Sequence, residues 1–191
     1  MDCKNIQINN LKITNCNSKY GGAIYLSYSS MKISNSELND NFAEVNGGAI
    51  FSEDNCEVDL YNTKILNNST QDGSGGGIFA KGNLIIDGEN SLISNNKSGF
   101  NGGGMNIKNC LIKNCNICNN KAKNSGGGIC STDGDLLIEK AKICLNSCDA
   151  RGGGINYYYS KKFLYDKNKI DSMVYDNTAI INGNNFYPEI N

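Results

Sequence analysis

The 191-residue sequence predicts an all-β fold, a right-handed single-stranded parallel β-helix (solenoid) of about seven rungs. Three observations lead there. A block of glycines followed by an apolar residue recurs along the whole chain at intervals of 24 to 31 residues. Before each block stands an apolar residue with Asn three positions later and a small residue two beyond that. Upstream again, apolar residues alternate with polar ones at period two, the pattern of a half-buried strand.

The composition agrees with strands and removes several chemistries. Asn (33), Ile (22), Gly (22) and Lys (17) make up nearly half the chain, and Ile without much Ala or Leu favours strands over helices. There is no His or Trp, one Pro (Pro188) and one Arg (Arg151), which excludes an imidazole base or a His-ligated metal. A net charge of −1 offers no basic footprint, so no nucleic-acid partner is expected. No window approaches eighteen apolar residues, so no direct membrane insertion by this segment is expected. The opening Met1-Asp2-Cys3-Lys4 lacks the layout of a secretory signal, and the chain reads as a fragment of a larger protein.

Taken in order, each period holds three strand signals. The alternating pair comes first, as in Ile6 and Ile8, Met31 and Ile33, Val58 and Leu60, Cys110 and Ile112, Leu136 and Ile138. The apolar-xxN segment follows in six copies: Leu38 with Asn41, Ile65 with Asn68, Ile93 with Asn96, Ile117 with Asn120, Ile143 with Asn146 and Val174 with Asn177. A first copy, Ile13 to Cys16, replaces the Asn. The glycine block opens the third: Gly21 to Ile24, Gly47 to Ile50, Gly75 to Ile78, Gly102 to Met105, Gly126 to Ile129, Gly152 to Ile155, and a degraded Gly183 to Phe186. About 26 residues at ~3.3 Å each must coil to stay compact, and rungs stacked at ~4.8 Å pair each strand in parallel with its copy one repeat on. Asn-Gly dipeptides at 46–47, 101–102 and 182–183 also suit hairpins, but the glycines recur once per period, not once per strand pair. Residues 1–157 form the regular rungs. Residues 158–191 hold an irregular Lys-rich insertion (Lys161, Lys162, Lys167, Lys169) and a last partial rung or cap.

The columns follow from steric and hydrogen-bonding needs. Sixteen glycines in six intact blocks forfeit on the order of 8 to 16 kcal/mol against Ala, a loss tolerated only where no side chain fits or φ must be positive, so the blocks mark the tightest corner. The apolar residue after each block faces inward. Asn41, Asn68, Asn96, Asn120, Asn146 and Asn177 read as an internal ladder of amides satisfying turn backbone and one another. Beside the inward stack, Tyr25, Phe51 and Phe79 form an exterior aromatic row suited to sugar stacking or protein contact, or to packing under a loop or a neighbouring segment.

Nine Cys cannot all pair internally. Cys118 and Cys144 share a column in consecutive rungs, within disulfide reach, whereas Cys16, Cys110, Cys115 and Cys148 fall on inward columns as small hydrophobes. No cofactor and no metal are expected. Carboxylates cluster at Glu53, Asp54, Glu57, Asp59 and at Asp133, Asp135, Glu139, mostly in turns where Asp is favoured for backbone reasons. A calcium site or catalytic pair there is the alternative, and no residue is assigned a catalytic role.

The pairing of GGAI (Gly21 to Ile24, Gly47 to Ile50) or GGGI/GGGM with apolar-xxN resembles the repeat of the chlamydial polymorphic outer membrane protein (Pmp) family, GGA[ILV] and FxxN, over residues 6 to about 186. The Phe of FxxN is Leu, Ile or Val here. The resemblance implies a β-helical passenger region of a cell-surface or secreted protein, non-catalytic, acting as adhesin or interaction stalk toward a host or neighbouring cell-surface protein or glycan. The alternative from a different class is a β-helical polysaccharide lyase or glycoside hydrolase, which the fold alone does not license.

Overall fold

A computed structural model describes residues 5–158, 162–164 and 174–189. Most of the Lys-rich insertion lies outside the described residues. Every named strand pair is parallel, and each strand pairs with its copy one repeat away. One sheet of seven strands contains Lys12–Thr14, Glu37–Asn39, Lys64–Leu66, Ser91–Ser94, Cys115–Cys118, Lys142–Cys144 and Val174–Tyr175. A second sheet of seven contains Asn17–Tyr20, Phe42–Asn46, Ser69–Thr70, Lys97–Ser98, Lys121–Ala122, Ser147–Cys148 and Thr178–Ala179. A twelve-stranded sheet carries the glycine-block strands together with the alternating pairs. The chain is therefore a parallel β-solenoid: seven strands per sheet make six rung-to-rung steps, and parallel crossovers of this kind are right-handed. No described helix is long and apolar enough to cross a membrane.

The core is the set of inward columns stacked on themselves. Ile50, Ile78, Met105, Ile129 and Ile155 are fully buried, as are Leu38, Ile65, Ile93, Ile117 and Ile143 in the seven-stranded sheet. Ile24 at one end of the first column and Phe186 at the other are only partly covered, as expected where a stack runs out of rungs.

The glycine corner sets how closely rungs approach. The first glycine of every block has φ between +58 and +69°, open to glycine at no steric cost. At the second position a Cβ on Gly127 would overlap the Gly153 carbonyl of the next rung, while one on Gly128 would lie 3.0 Å from the Asn146 amide nitrogen. Backbone bonds continue through the corner, with Gly126 N–H donating to Arg151 O at 2.9 Å and Ile129 N–H to Gly154 O at 2.9 Å.

The six asparagines are buried and bonded in one chain. Asn120 is representative: its Oδ1 accepts from the Asn96 backbone N–H and the Asn96 side-chain amide, both at 3.0 Å, and its Nδ2 donates to Ile93 O at 2.9 Å and Asn146 Oδ1 at 3.0 Å. At the upper end Asn41 Oδ1 accepts from the Cys16 N–H at 3.0 Å. At the lower end Asn177 donates its N–H and amide to Asn185 Oδ1, at 3.2 and 3.1 Å. Asn185 thus terminates the ladder from within the degraded glycine block.

Other asparagines have a different task. Asn10, Asn35, Asn62 and Asn114 mark one corner, and Asn15, Asp40, Asn67, Asn95, Asn119 and Asp176 another, all with φ between +46 and +60°. Asn and Asp enter this left-handed region more readily than other side chains. Rung six breaks the rule at both corners, with Lys140 at φ 50° and Leu145 at φ 56°.

Two predictions compare neighbouring positions. Asn120→Ala strands two donors from Asn96 and the Ile93 carbonyl inside the coil, and is expected to cost at least about 3 kcal/mol, whereas Asn119→Ala loses only the left-handed preference, about 1 kcal/mol; urea unfolding of both variants measures the gap. Leu145 is 54% exposed and carries no core contact worth keeping, so Leu145→Asn is expected to stabilise by about 1 kcal/mol, read as a raised melting temperature.

Candidate functional site

Around the corner that follows each inward Ile, the spacing to the next inward pair varies from rung to rung. It is seven positions from Ile24 to Met31, eight from Ile50 to Val58, six from Ile78 to Leu84 and five from Met105 to Cys110. In rungs one and two the chain makes a projecting turn here. In rungs three and four it runs straight through, as the single strands Ile78–Asp87 and Met105–Lys113, with a register shift between Ala80 and Asn83. The step from long turns to straight strands leaves a groove of about 570 Å³ lined by Tyr28, Ser29, Asp54, Asn55, Glu57, Lys81, Asn83, Lys108 and Asn109.

The aromatic row borders this groove. Tyr25, Phe51 and Phe79 occupy the same register position on three consecutive strands. Tyr25 stacks on Phe51 at 5.4 Å between centroids and Phe51 on Phe79 at 5.3 Å, with planes within 8° and 6° of parallel. Their exposure is unequal, which departs from the expectation of an exterior row. Tyr25 is 51% exposed and Phe79 half-buried, but Phe51 is only 5% exposed. The same column continues as Asn106, Cys130 and Asn156, all buried. The reason is the sharpness of the glycine corner, which brings backbone over the residue four positions later: a Cβ on Gly126 would lie 2.8 Å from that of Cys130, and one on Gly152 2.8 Å from the Asn156 Cα. Tyr20 adds a tilted ring over Phe51, centroids 5.2 Å apart. Within the row, accessible aromatic surface therefore concentrates at Tyr25.

Charged groups frame it. Glu53 accepts from the Tyr25 hydroxyl at 2.6 Å and the Ser27 hydroxyl at 2.7 Å; both bonds hold its carboxyl below the usual range, and the first raises the Tyr25 phenol. Glu53 is thus an anionic acceptor, not a proton donor. The Lys81 ammonium lies 5.8 Å from the Phe51 centroid, a cation–π distance. Tyr28 stands at the rim, 66% exposed, with φ 49°. A bulky side chain held in the left-handed region without burial stores strain that the core does not repay.

The fold separates some members of the acidic clusters and brings others together: Glu57, Asp59 and Asp135 line one outer depression. Glu57 and Asp59 share the outer face of Glu57–Tyr61, Asp133 is a turn residue at φ 54°, and Glu139 pairs with Lys113 at 3.0 Å. Among the described residues no three His, Cys, Asp or Glu side chains are grouped to hold a metal ion. Arg151 lies with its guanidinium 5.2 Å from the Tyr187 ring, at the last rung. Cys56, Cys110, Cys115, Cys130 and Cys148 are buried; Cys16 and Cys118 are half-buried. Sequence reasoning missed the groove and Tyr28. The unequal spacings at this corner were the signal that marked them.

Two stretches, residues 35–53 and 114–132, match the family model described as the Chlamydia polymorphic membrane protein (Chlamydia_PMP) repeat. They are in phase: each begins at a left-handed Asn, passes through a ladder Asn and a glycine corner, and takes in the strand beyond it. No curated protein and no solved structure matches the chain.

Burial pushes the Cys110 and Cys115 thiols well up and the Cys130 thiol up to about 12. A raised thiol pKa leaves only about one part in ten thousand as reactive thiolate at pH 8 for Cys130. These three are expected to resist iodoacetamide at pH 8 in the folded protein and to react fully in 6 M guanidinium chloride, as counted by peptide mass spectrometry.

Proposed function

We propose that the chain, which carries the Chlamydia polymorphic membrane protein repeat and the β-solenoid fold, is part of a cell-surface or secreted protein in which it acts as a non-catalytic adhesive stalk. Its partner is a cell-surface glycan or protein held at the corner of the first three rungs. The stalk character follows from architecture: a coil that contacts only neighbouring rungs grows in length without changing its section, and so carries a site outward from an anchor.

The observation that carries the reading is the exposed Tyr25 ring, backed by Phe51 and Phe79, beside a groove whose rim offers carboxylates, amides and ammonium groups. A ring face supports the apolar side of a sugar, and the polar rim serves its hydroxyls. The backing rings make the platform rigid, so little conformational freedom is lost on contact. The strained Tyr28 supports the same reading, because a residue that costs stability and buries nothing is retained for what it meets outside.

Tyr25→Ser is expected to weaken binding to cells or immobilised glycans about three- to tenfold with an unchanged melting temperature. Tyr28→Asn should weaken binding while raising the melting temperature, since Asn relieves the backbone. Unchanged binding in both variants, measured by surface plasmon resonance on glycan and on protein arrays, refutes this corner as the contact; loss on one array alone identifies the partner class. Phe51 is unsuitable for the test because it is packed.

A further inference from the structure

We propose that Cys118 and Cys144 are a modification site, forming an intrachain disulfide that fastens the fifth rung to the sixth. Two independent observations place them. The register of the parallel pair Cys115–Cys118 with Lys142–Cys144 sets Cys118 directly against Cys144, and their sulfurs are 2.6 Å apart. The other sulfur contacts among the described residues, from Cys148 to Arg151 O, Cys56 to Leu26 O, Cys16 to Thr14 O and Cys115 to Asn116 O, are 3.3 to 3.6 Å.

Register also singles this pair out. Cys110 lies between Leu84 and Leu136, Cys115 opposite Ser91, Cys130 between Asn106 and Asn156, and Cys148 between Ala122 and Ala179. Among the described strand pairs, only Cys118 and Cys144 put Cys against Cys. In-register residues of parallel strands are about 4.8 Å apart, inside the Cα range that a disulfide spans. Both side chains project from the outer face, away from the Ile117 and Ile143 column, and Cys118 is half-buried, within reach of a small reagent.

The step balances with a disulfide donor, such as glutathione disulfide or an oxidised dithiol protein. The thiolate of one cysteine attacks the donor S–S bond and expels one donor thiolate, leaving a mixed disulfide. The thiolate of the second attacks the protein sulfur of that mixed disulfide and expels the other. Two protein thiols lose two protons and two electrons, and one donor disulfide becomes two thiols.

The bond closes a 26-residue loop that contains a whole glycine corner. Each rung of a solenoid rests on its neighbours, and rung six carries the next one through Ile143 to Val174 and Cys144 to Tyr175. The disulfide therefore holds the rung on which the Val174–Tyr175 strand is paired.

The test uses the full chain purified under reduction, then treated with excess glutathione disulfide at pH 8, blocked with iodoacetamide and digested unreduced. The expected product links tryptic peptides 114–121 and 143–151, with fragmentation placing the bond at Cys118 and Cys144. The melting temperature should rise about 5–10 °C over the dithiothreitol-treated protein, and the rise should vanish in Cys118→Ser and in Cys144→Ser. Carbamidomethyl groups on both residues, a persisting glutathione adduct on either, a link through Cys115 or Cys148, or covalent dimers each overturn the proposal. The peptide map uses the unmutated chain and so stands even if a variant misfolds.

Discussion

The rest of the coil depends on how closely one rung's backbone passes over the next at the glycine corner. With no side chain at the second and third positions of the block, the corner carbonyl of one rung accepts from an N–H of its neighbour at ordinary backbone distance, as Gly154 O does from Ile129. That contact fixes the rung spacing for the entire section. At this spacing the inward Ile column packs without gaps, and the ladder amides fall within hydrogen-bond distance of each other. The two are mutually dependent: the third-position glycines of Gly77, Gly104, Gly128 and Gly154 abut the ladder asparagines, so a side chain larger than a methyl there would press on the amide it faces. Alanine occupies that position only in the first two rungs, as Ala23 and Ala49.

The ladder adds what packing cannot supply. A turn inside a coil leaves backbone groups pointing at a dry interior, and each would cost about 1 to 3 kcal/mol unpaired. Asn is the one neutral side chain short enough to stay at the corner while offering two donors and two acceptor sites in one plane. Its carbonyl takes the N–H and amide of the preceding rung, and its amide gives to the preceding rung's carbonyl and the following rung's Asn. Such a chain is complete only if its ends are. Cys16 at the top contributes a backbone donor in place of an amide, and Asn185 at the bottom supplies the last acceptor.

Most of this architecture was legible in the residues because it is periodic. The inward stack, the corners and the ladder Asn each recur at one offset, and a position that must be Ile or Gly in every rung leaves its mark seven times. What was not legible is what depends on path and not on period. Alternation placed the column of Phe51, Asn106, Cys130 and Asn156 outside, which is correct for the sheet, but exposure there is decided by backbone from before the glycine folding over it. The terminal acceptor Asn185 was hidden because it sits eight residues from Asn177 rather than one repeat away. The φ values of the asparagines outside the ladder resolve many of them into two further corners.

This division between periodic and aperiodic features also bears on the proposed contact. Every inward column is committed to stacking, and an outer column that repeats unchanged presents the same surface at each rung, with nothing to distinguish one partner from another. Specificity has to reside where the repeat varies. The inward face and the ladder corner tolerate almost no change in length, whereas the corner after the inward Ile ranges from five to eight positions between Met105–Cys110 and Ile50–Val58. Inserted residues there neither break the ladder nor leave the core, because the flanking inward positions keep their register on both sides, Ile50 with Ile78 and Val58 with Leu84. Added length becomes relief on the outer surface. Tyr28, Glu53, Asp54 and Lys81 all occur in that variable stretch, so a corner free to change length also collects an exposed ring, carboxylates and an ammonium near a groove. The strained backbone at Tyr28 fits this account: a corner relieved of structural duty can hold a conformation that a ladder or core position could not.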